Sequence, residues 1–323
     1  MGKRTRVQAR AAQSADSGSG GPAQTGPREP CPCGSGRRYK NCHGGKDGGA
    51  SPYVRRPFEG LAGECDLVAL REFVPAATAP LTVKDTDREV LLCSLLPAAA
   101  PALVRPDGSV WLGLQVQHAY GDASRDLAAV LARALEAEPG SMVGLPADPG
   151  PGPRLQDLME GGLDVTVHDG FDFWVADVDQ DGSMAAALEQ ANAAAAPTQR
   201  LDGDRAAYLT TIGDHAYLRW VMPEDEDALL DALARLHHAG EDRLVEGARL
   251  IGMFRAHGLL VPVWDVPVAP DGDRTVDADA AALAGPVDRF AERLAAVLGA
   301  AEPLSADERS TRAGLASRQL TLR

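Results

Sequence analysis

Three cysteines and a histidine fall within one short segment, Cys31-Pro32-Cys33-Gly34-Ser35-Gly36-Arg37-Arg38-Tyr39-Lys40-Asn41-Cys42-His43. Three thiolates and one imidazole complete the tetrahedral donor set of one zinc ion. Two ligands enter as Cys-x-Cys and two leave as an adjacent Cys-His pair. Gly34 and Gly36 let the chain double back across the metal. The segment has almost no apolar residues, so metal binding must supply its folding energy, on the order of 10 kcal/mol for structural sites. All four positions are protein ligands, and a closed zinc is structural, not catalytic. Two other readings compete: a redox pair, and a zinc knuckle for single-stranded nucleic acid. Nucleic-acid sites of that kind stack bases on aromatic side chains, and only Tyr39 is available here.

The run CPCGSG, then two basic residues, Tyr39 and Lys40, then Cys42-His43, closely resembles the SEC-C motif. That motif is the zinc-binding tail of the SecA preprotein translocase ATPase. The resemblance implies Cys31, Cys33, Cys42 and His43 as ligands. It also implies a docking module that presents a small basic surface, as the SecA tail does to the chaperone SecB and the ribosome. Arg37, Arg38, Tyr39 and Lys40 would form that surface. No phosphate-binding G-x-x-x-x-G-K-[ST] pattern occurs anywhere, and the chain is far too short for the motor, so the sequence is not SecA. The stretch Gly252-Met253-Phe254-Arg255-Ala256-His257-Gly258-Leu259-Leu260-Val261-Pro262-Val263-Trp264-Asp265 resembles an uncharacterised actinobacterial family. That family pairs an N-terminal SEC-C motif with a domain of unknown function, and implies no activity.

Other residues invite weaker readings. Asp177-Val178-Asp179-Gln180-Asp181-Gly182 begins like a calcium loop, but the bidentate Glu required at the twelfth position is Leu188. An Asp-rich turn capping the next helix explains it more simply. Asp164, His168, Asp169 and Asp172 surround a hairpin signal and offer metal donors, although turn-forming Asp and Gly account for them as well. His237 and His238 suit the negative end of a helix. Asp214-His215 has no nucleophile with a recognisable motif beside it. Cys65 and Cys93 read as inert thiols. Trp174, Trp220 and Trp264 read as core residues of three strands.

The elements that carry these residues form a recurring strand–strand–helix rhythm. The first unit comprises strands over Glu89–Leu96 and Ser109–Gln117 and a helix over Ala123–Glu136; a Pro/Gly-rich loop, Glu138–Pro153, follows. The second has strands Leu163–Val167 and Phe171–Val178 about His168-Asp169-Gly170, then an alanine-rich helix over Ser183–Ala196. Asp-Gly between apolar runs signals a hairpin. The third has Ala206–Ile212 and His215–Val221 about Gly213-Asp214. Its helix runs from Glu224 to His238, with acids in the first turn, bases in the last, Gly240 beyond, and Leu229, Leu233 and Leu236 as the buried stripe. A helix over Glu246–Ala256, a strand over Leu259–Val266 and a helix over Asp277–Leu298 complete the chain. Antiparallel hairpins followed by helices predict an α+β body of repeated strand–strand–helix units, with helices on one face of the sheet, beside the zinc-stabilised N-terminal module. The expected divisions are a disordered basic arm (1–29), the zinc module (30–45), a flexible linker (46–60), the acidic body (61–302) and a tail (303–323).

The formal charge is −14 over 323 residues. It is divided unevenly: Met1–Gly60 carries eleven Lys/Arg against four Asp/Glu, a net of +7, which leaves −21 on the remainder. A body so acidic repels nucleic acid and anionic membrane, so nucleic-acid binding falls to the arm alone. The basic start lacks the apolar run of a signal peptide, and no stretch approaches the roughly 18 apolar residues of a membrane span. The expected compartment is the cytoplasm, where thiols stay reduced. The leading functional reading is an adaptor whose zinc module docks to a protein partner, such as the ribosome, a translocase component or a chaperone. A metal-dependent hydrolase built on the hairpin at 164–172, and a nucleic-acid-associated protein using the arm, are the alternatives.

Overall fold

The computed structural model describes residues 38, 53–117, 119–146, 149–175, 185–267 and 276–318. The chain divides into two units, Met1–Lys46 and Asp47–Arg323, and the architecture below belongs to the second. Its first sheet contains β1 (Ala77–Val83), β2 (Val90–Cys93), β3 (Ala102–Val104), β4 (Val110–Gly113), β5 (Met142–Val143), β6 (Met159–Glu160) and β7 (Thr166–Val167). The order is β5-β3-β4-β2-β1-β6, and β7 also pairs with β1. The second sheet contains β8 (Thr198–Arg200), β9 (Ala207–Ile212), β10 (His215–Trp220), β11 (Arg249–Ala256) and β12 (Leu259–Val266), in the order β11-β12-β10-β9-β8. The helices are α1 (Glu64–Glu72), α2 (Ala123–Glu136), the single turn α3 (Leu155–Leu158), α4 (Ala185–Ala194), α5 (Glu226–Ala239), α6 (Val276–Val297) and α7 (Ala306–Ser317). The α+β class predicted from the sequence is therefore observed, with two sheets among the described residues.

One core cluster joins the sheets. Leu67, Val68 and Leu70 of α1 pack with Ala79, Leu92 and Leu112 of the first sheet, and with Tyr208, Val261 and Val263 of the second. The opposite face of the second sheet presents Leu218, Trp220 and Trp264 to Leu233 of α5, Phe290 of α6 and Leu315 of α7. Strand β12 is thus buried on both faces: Leu259, Val261 and Val263 face one cluster, and Leu260, Trp264 and Val266 the other. Its sequence is accordingly apolar from Leu259 to Trp264, without polar alternation. Each such side chain contributes roughly 1.5–3 kcal/mol when fully buried.

Helix α5 shows how local chemistry sets an element's ends. Asp225 is its N-cap, accepting from the amides of Asp227 and Ala228 at 3.0 and 3.1 Å. At the other end Gly240 is left-handed, with φ 74°. The Glu241 amide donates to the Leu236 carbonyl, and the Gly240 amide to that of His237. This is the double hydrogen bond of a Schellman ending. The predicted helix began at Glu224; the cap shifts the first helical residue to Glu226 and leaves Glu224 outside.

Several expectations are corrected. Glu246–Ala256 is not a helix, because β11 occupies Arg249–Ala256 and pairs along β12. The cause is the turn His257-Gly258, where both residues have positive φ, 47° and 82°. Such a pair closes a tight hairpin whose twist matches its strands. Of the predicted strand Phe171–Val178, the described residues 171–175 are not a strand either; Asp172–Trp174 forms a short 3-10 turn that buries Phe171 and Trp174 beside Ala76, and residues 176–178 lie outside the described residues. The first unit is no hairpin: β2 and β4 run parallel, with β3 inserted between them in sequence. Within the predicted tail, α7 packs onto α5 through Leu315 and through Arg312, which pairs with Asp227 and Asp231.

The predicted linker also ends early. Residues 53–58 form a strap bound to the body. The Val54 amide donates to the Gly121 carbonyl at 2.8 Å. Arg55 pairs with Glu226 at 2.5 Å, and Arg56 with Glu64 at 2.7 Å. Phe58 is fully buried, edge-on to His257. Gly258 admits the strap: a Cβ there would lie 2.8 Å from the Arg55 carbonyl oxygen.

Candidate functional site

Of the eight residues predicted in the zinc module, Arg38 is described, and it is exposed. Cys31, Cys33, Arg37, Tyr39, Lys40, Cys42 and His43 lie outside the described residues, as does the acidic loop Asp177–Gly182.

The hairpin at 164–172 does not assemble a metal site. Asp164, Asp169 and Asp172 are exposed. The ring of His168 turns away from them, with Nε2 2.8 Å from the Thr78 hydroxyl and the ring against Phe173. Burial pushes the His168 imidazole below its usual range, against the pull of Asp169. Among the described residues no group of three or more His, Cys, Asp or Glu side chains could hold a metal ion. His237 pairs with the buried Asp242 at 2.5 Å as α5 ends. His215 lies 3.5 Å from both Asp214 and Asp265. Trp220 and Trp264 are buried strand residues packed around Phe290, while Trp174 is buried on the 3-10 turn.

A buried polar network ties α1 to the second sheet. Asp66 lies on α1 and is 7% exposed. It accepts from the Tyr208 hydroxyl at 2.6 Å, from Arg200 Nε at 2.9 Å and from Arg200 Nη2 at 3.2 Å. Burial, reinforced by the Asp66 charge, pushes the Tyr208 phenol well above its ordinary value near 10. The hydrogen bond with Asp66 raises the Arg200 guanidinium further. The network holds α1 against the second sheet.

One residue before it, Cys65 lines a cavity of about 320 Å³ between α1, β10 and the C-terminal turns of α6. Ala206, Trp220, Val221 and Leu294 form its apolar floor, and Glu224 and Arg205 bring charge to its wall. Burial, with Glu64, Asp66 and Glu224 nearby, pushes the Cys65 thiol up to about 12. Burial also raises the thiol of Cys93, which is fully enclosed. Both are protonated at neutral pH, as inert thiols are. The sequence reading missed Glu224 as a cavity residue because it counted that carboxylate as part of a helix's first turn. The signal was Asp225, a better cap one position later.

Residues 57–323 match the family described as "Family of unknown function (DUF5926)". The chain belongs to that family. Ahead of the DUF5926 domain, residues 28–45 match the SEC-C motif. A 38-residue stretch is 53% identical to the protein translocase subunit SecA of Thiobacillus denitrificans (strain ATCC 25259 / T1). The match covers 10% of this chain and 4% of that SecA, so the likeness is to a motif and the DUF5926 protein is not SecA. No solved structure matches the chain. Among the described residues no helix is long and apolar enough to cross a membrane.

Proposed function

We propose that this protein is a cytoplasmic zinc-binding adaptor, with its SEC-C module docking to a protein partner of translation, secretion or chaperoning. The observation that carries this reading is the SEC-C match over 28–45, where three thiols and an imidazole form a donor set suited to zinc. Cys31, Cys33, Cys42 and His43 would hold one structural ion. The metal would supply the folding energy that so short a segment lacks. Arg37, Arg38, Tyr39 and Lys40 would then present the contact face to an acidic partner, and the exposure of Arg38 agrees with that role. The DUF5926 domain, at −22 over residues 57–323, would repel the same partner surfaces, which directs contact to the module.

The test is a pull-down from the native host with wild-type protein beside Cys42→Ser, with zinc content measured in parallel. Ribosomal, translocation or chaperone proteins that bind wild type and are lost from the variant support the adaptor. Equal recovery by both forms, with zinc absent from the variant, overturns it.

A further inference from the structure

We infer that the outward face of the first sheet docks a basic amphipathic segment of a protein partner. Strand pairing sets one apolar residue from each of five strands in a single row: Pro80, Leu91, Trp111, Leu103 and Met142. The row crosses four strand spacings, about 19 Å. Their sequence neighbours Ala79, Leu92, Leu112, Val104 and Val143 belong to the central core, so the row points the other way. Strands β2, β3 and β4 are thus apolar on both faces, the pattern of strands covered on both sides. Among the described residues the cover is partial. Cys93, Leu96, Ala100 and Phe173 pack beside the row, which leaves Leu91, Leu103 and Trp111 half-buried and Pro80 exposed. Met142 is 62% exposed. Trp111, at the centre, is braced by the Arg105 guanidinium 4.2 Å from its ring centroid and by the Phe173 ring at 6.0 Å. A braced aromatic inside an apolar patch is the kind of residue that anchors protein interfaces.

The rim then selects the charge of the partner. The next outward row carries Glu160, opposite Thr82, and Glu89, whose carbonyl accepts from the Val110 amide. Both are exposed, as is Asp107 in the turn between β3 and β4. On the other flank Asp169 and Asp172, also exposed, precede the Phe173 ring. The three cations between Ala77 and Gly113 are turned to backbone oxygens. Arg88 donates to the carbonyls of Gly108, Ala134 and Leu135. Arg105, itself buried, donates to that of Trp174, and Lys84 to that of Asp157. An apolar row between exposed carboxylates fits apolar side chains flanked by Lys or Arg, and a domain at −22 steers such a segment toward it. A second copy of this chain would set the same carboxylates against each other across a two-fold axis. An acidic partner would meet them without compensation.

The experiment uses the full chain and a fluorescein-labelled amphipathic peptide of Leu and Lys, about 13 residues long, enough as a helix to span the row. One comparator has Glu in place of Lys, and the other has Ser in place of Leu. Anisotropy titrations at about 150 mM salt, where loose charge attraction is screened, give the affinities. Wild type should bind the Leu/Lys peptide roughly tenfold or more tighter than the Ser/Lys peptide, and the Leu/Glu peptide least. Met142→Ser, at an exposed position, should weaken binding roughly tenfold, the worth of one large apolar contact. Pro80→Ser, at a second exposed position, should weaken it in the same direction. Ile212→Ser removes an exposed apolar residue of the second sheet and should change nothing. Glu89→Gln combined with Glu160→Gln should weaken binding and reduce its salt dependence. Cys42→Ser should bind the peptide as wild type does, so this surface and the zinc module fail separately. Unchanged affinity in both Met142→Ser and Pro80→Ser, equal binding of the Leu/Glu peptide, or no binding of the Leu/Lys peptide at high micromolar concentration overturns the inference. So does a wild-type dimer in light scattering that Met142→Ser dissociates, which would assign the face to a second copy.

Discussion

Replacing Tyr208 by phenylalanine tests the network that fastens α1 between the sheets. The change removes one oxygen from a fully buried ring and one hydrogen bond of 2.6 Å to Asp66. A hydrogen bond to a charged group is worth about 1.5–3 kcal/mol. Asp66 keeps both bonds from Arg200 and is not orphaned, so the loss should fall near the lower end, roughly 1.5–2 kcal/mol. Urea unfolding at pH 7 should show this as a lower midpoint with unchanged slope. Asp66→Asn removes the charge that Arg200 and Tyr208 share, and should cost more, roughly 3–5 kcal/mol. The pH dependence is a separate check. Because the folded phenol titrates well above its unfolded value near 10, the folded state holds a proton that the unfolded chain gives up. The stabilisation is complete below pH 10 and is lost as pH rises beyond it, by up to about 1.4 kcal/mol per pH unit. Tyr208→Phe should flatten that part of the alkaline limb, leaving the earlier decline above pH 9 that the raised Cys65 and Cys93 thiols produce. A variant within about 0.5 kcal/mol of wild type at pH 7, the size of an ordinary surface change, with the same slope above pH 10, would refute the reasoning.

Phe58→Ala should lower stability by roughly 3–5 kcal/mol; in urea unfolding, a chain starting at residue 61 should lose at least as much, and one starting at 53 should match wild type. Gly258→Ala should cost roughly 2–4 kcal/mol, from left-handed strain plus overlap with the Arg55 carbonyl. Gly213→Ala, at φ 62° with open space around its Cβ position, should cost only about 1 kcal/mol in the same assay. Chelation of zinc should release one metal per chain by mass spectrometry and leave the thermal unfolding of the body unchanged. His257→Asn should soften the acid limb. Burial raises the Glu72 carboxyl, but its hydrogen bond with His257 draws it below its usual value. That stabilisation is present above pH 4.5 and lost as pH falls through the lowered value.

Elements with their own chemistry were legible in the sequence. Helix α5 announces itself through Asp225, its leucine stripe and Gly240, and the β9–β10 hairpin through Gly213-Asp214. The missed elements take their form from distant partners. Strand β1 is paired on both edges, by β2 and by β6 and β7, and its sequence Ala-Thr-Ala-Pro-Leu-Thr-Val carries little strand signal alone. Helix α1 is short and buried between sheets, so it shows no polar stripe of the usual width. In β11, Leu250, Met253 and Phe254 also fall at helical spacing. The two positive-φ residues that follow decide the matter, and His257-Gly258 is a less familiar turn pair than Asn-Gly. Of the candidate site, the SEC-C motif was readable from residue type and spacing. The cavity was not, since Cys65, Glu224 and Leu294 meet only through the fold.

The strap has a consequence for the order in which the protein is made. Phe58 and Arg55 leave the synthetic machinery early, but their seats are Glu226, 171 residues further on, and the His257-Gly258 turn beyond it. At typical synthesis rates of 5–20 residues per second, ~200 residues take ~10–40 s. Throughout that interval the strap can meet Glu64 and Gly121 but neither Glu226 nor the His257-Gly258 turn, and the central cluster cannot be completed until β11 and β12 have emerged. The body must therefore finish folding from its last strands back to its first residues.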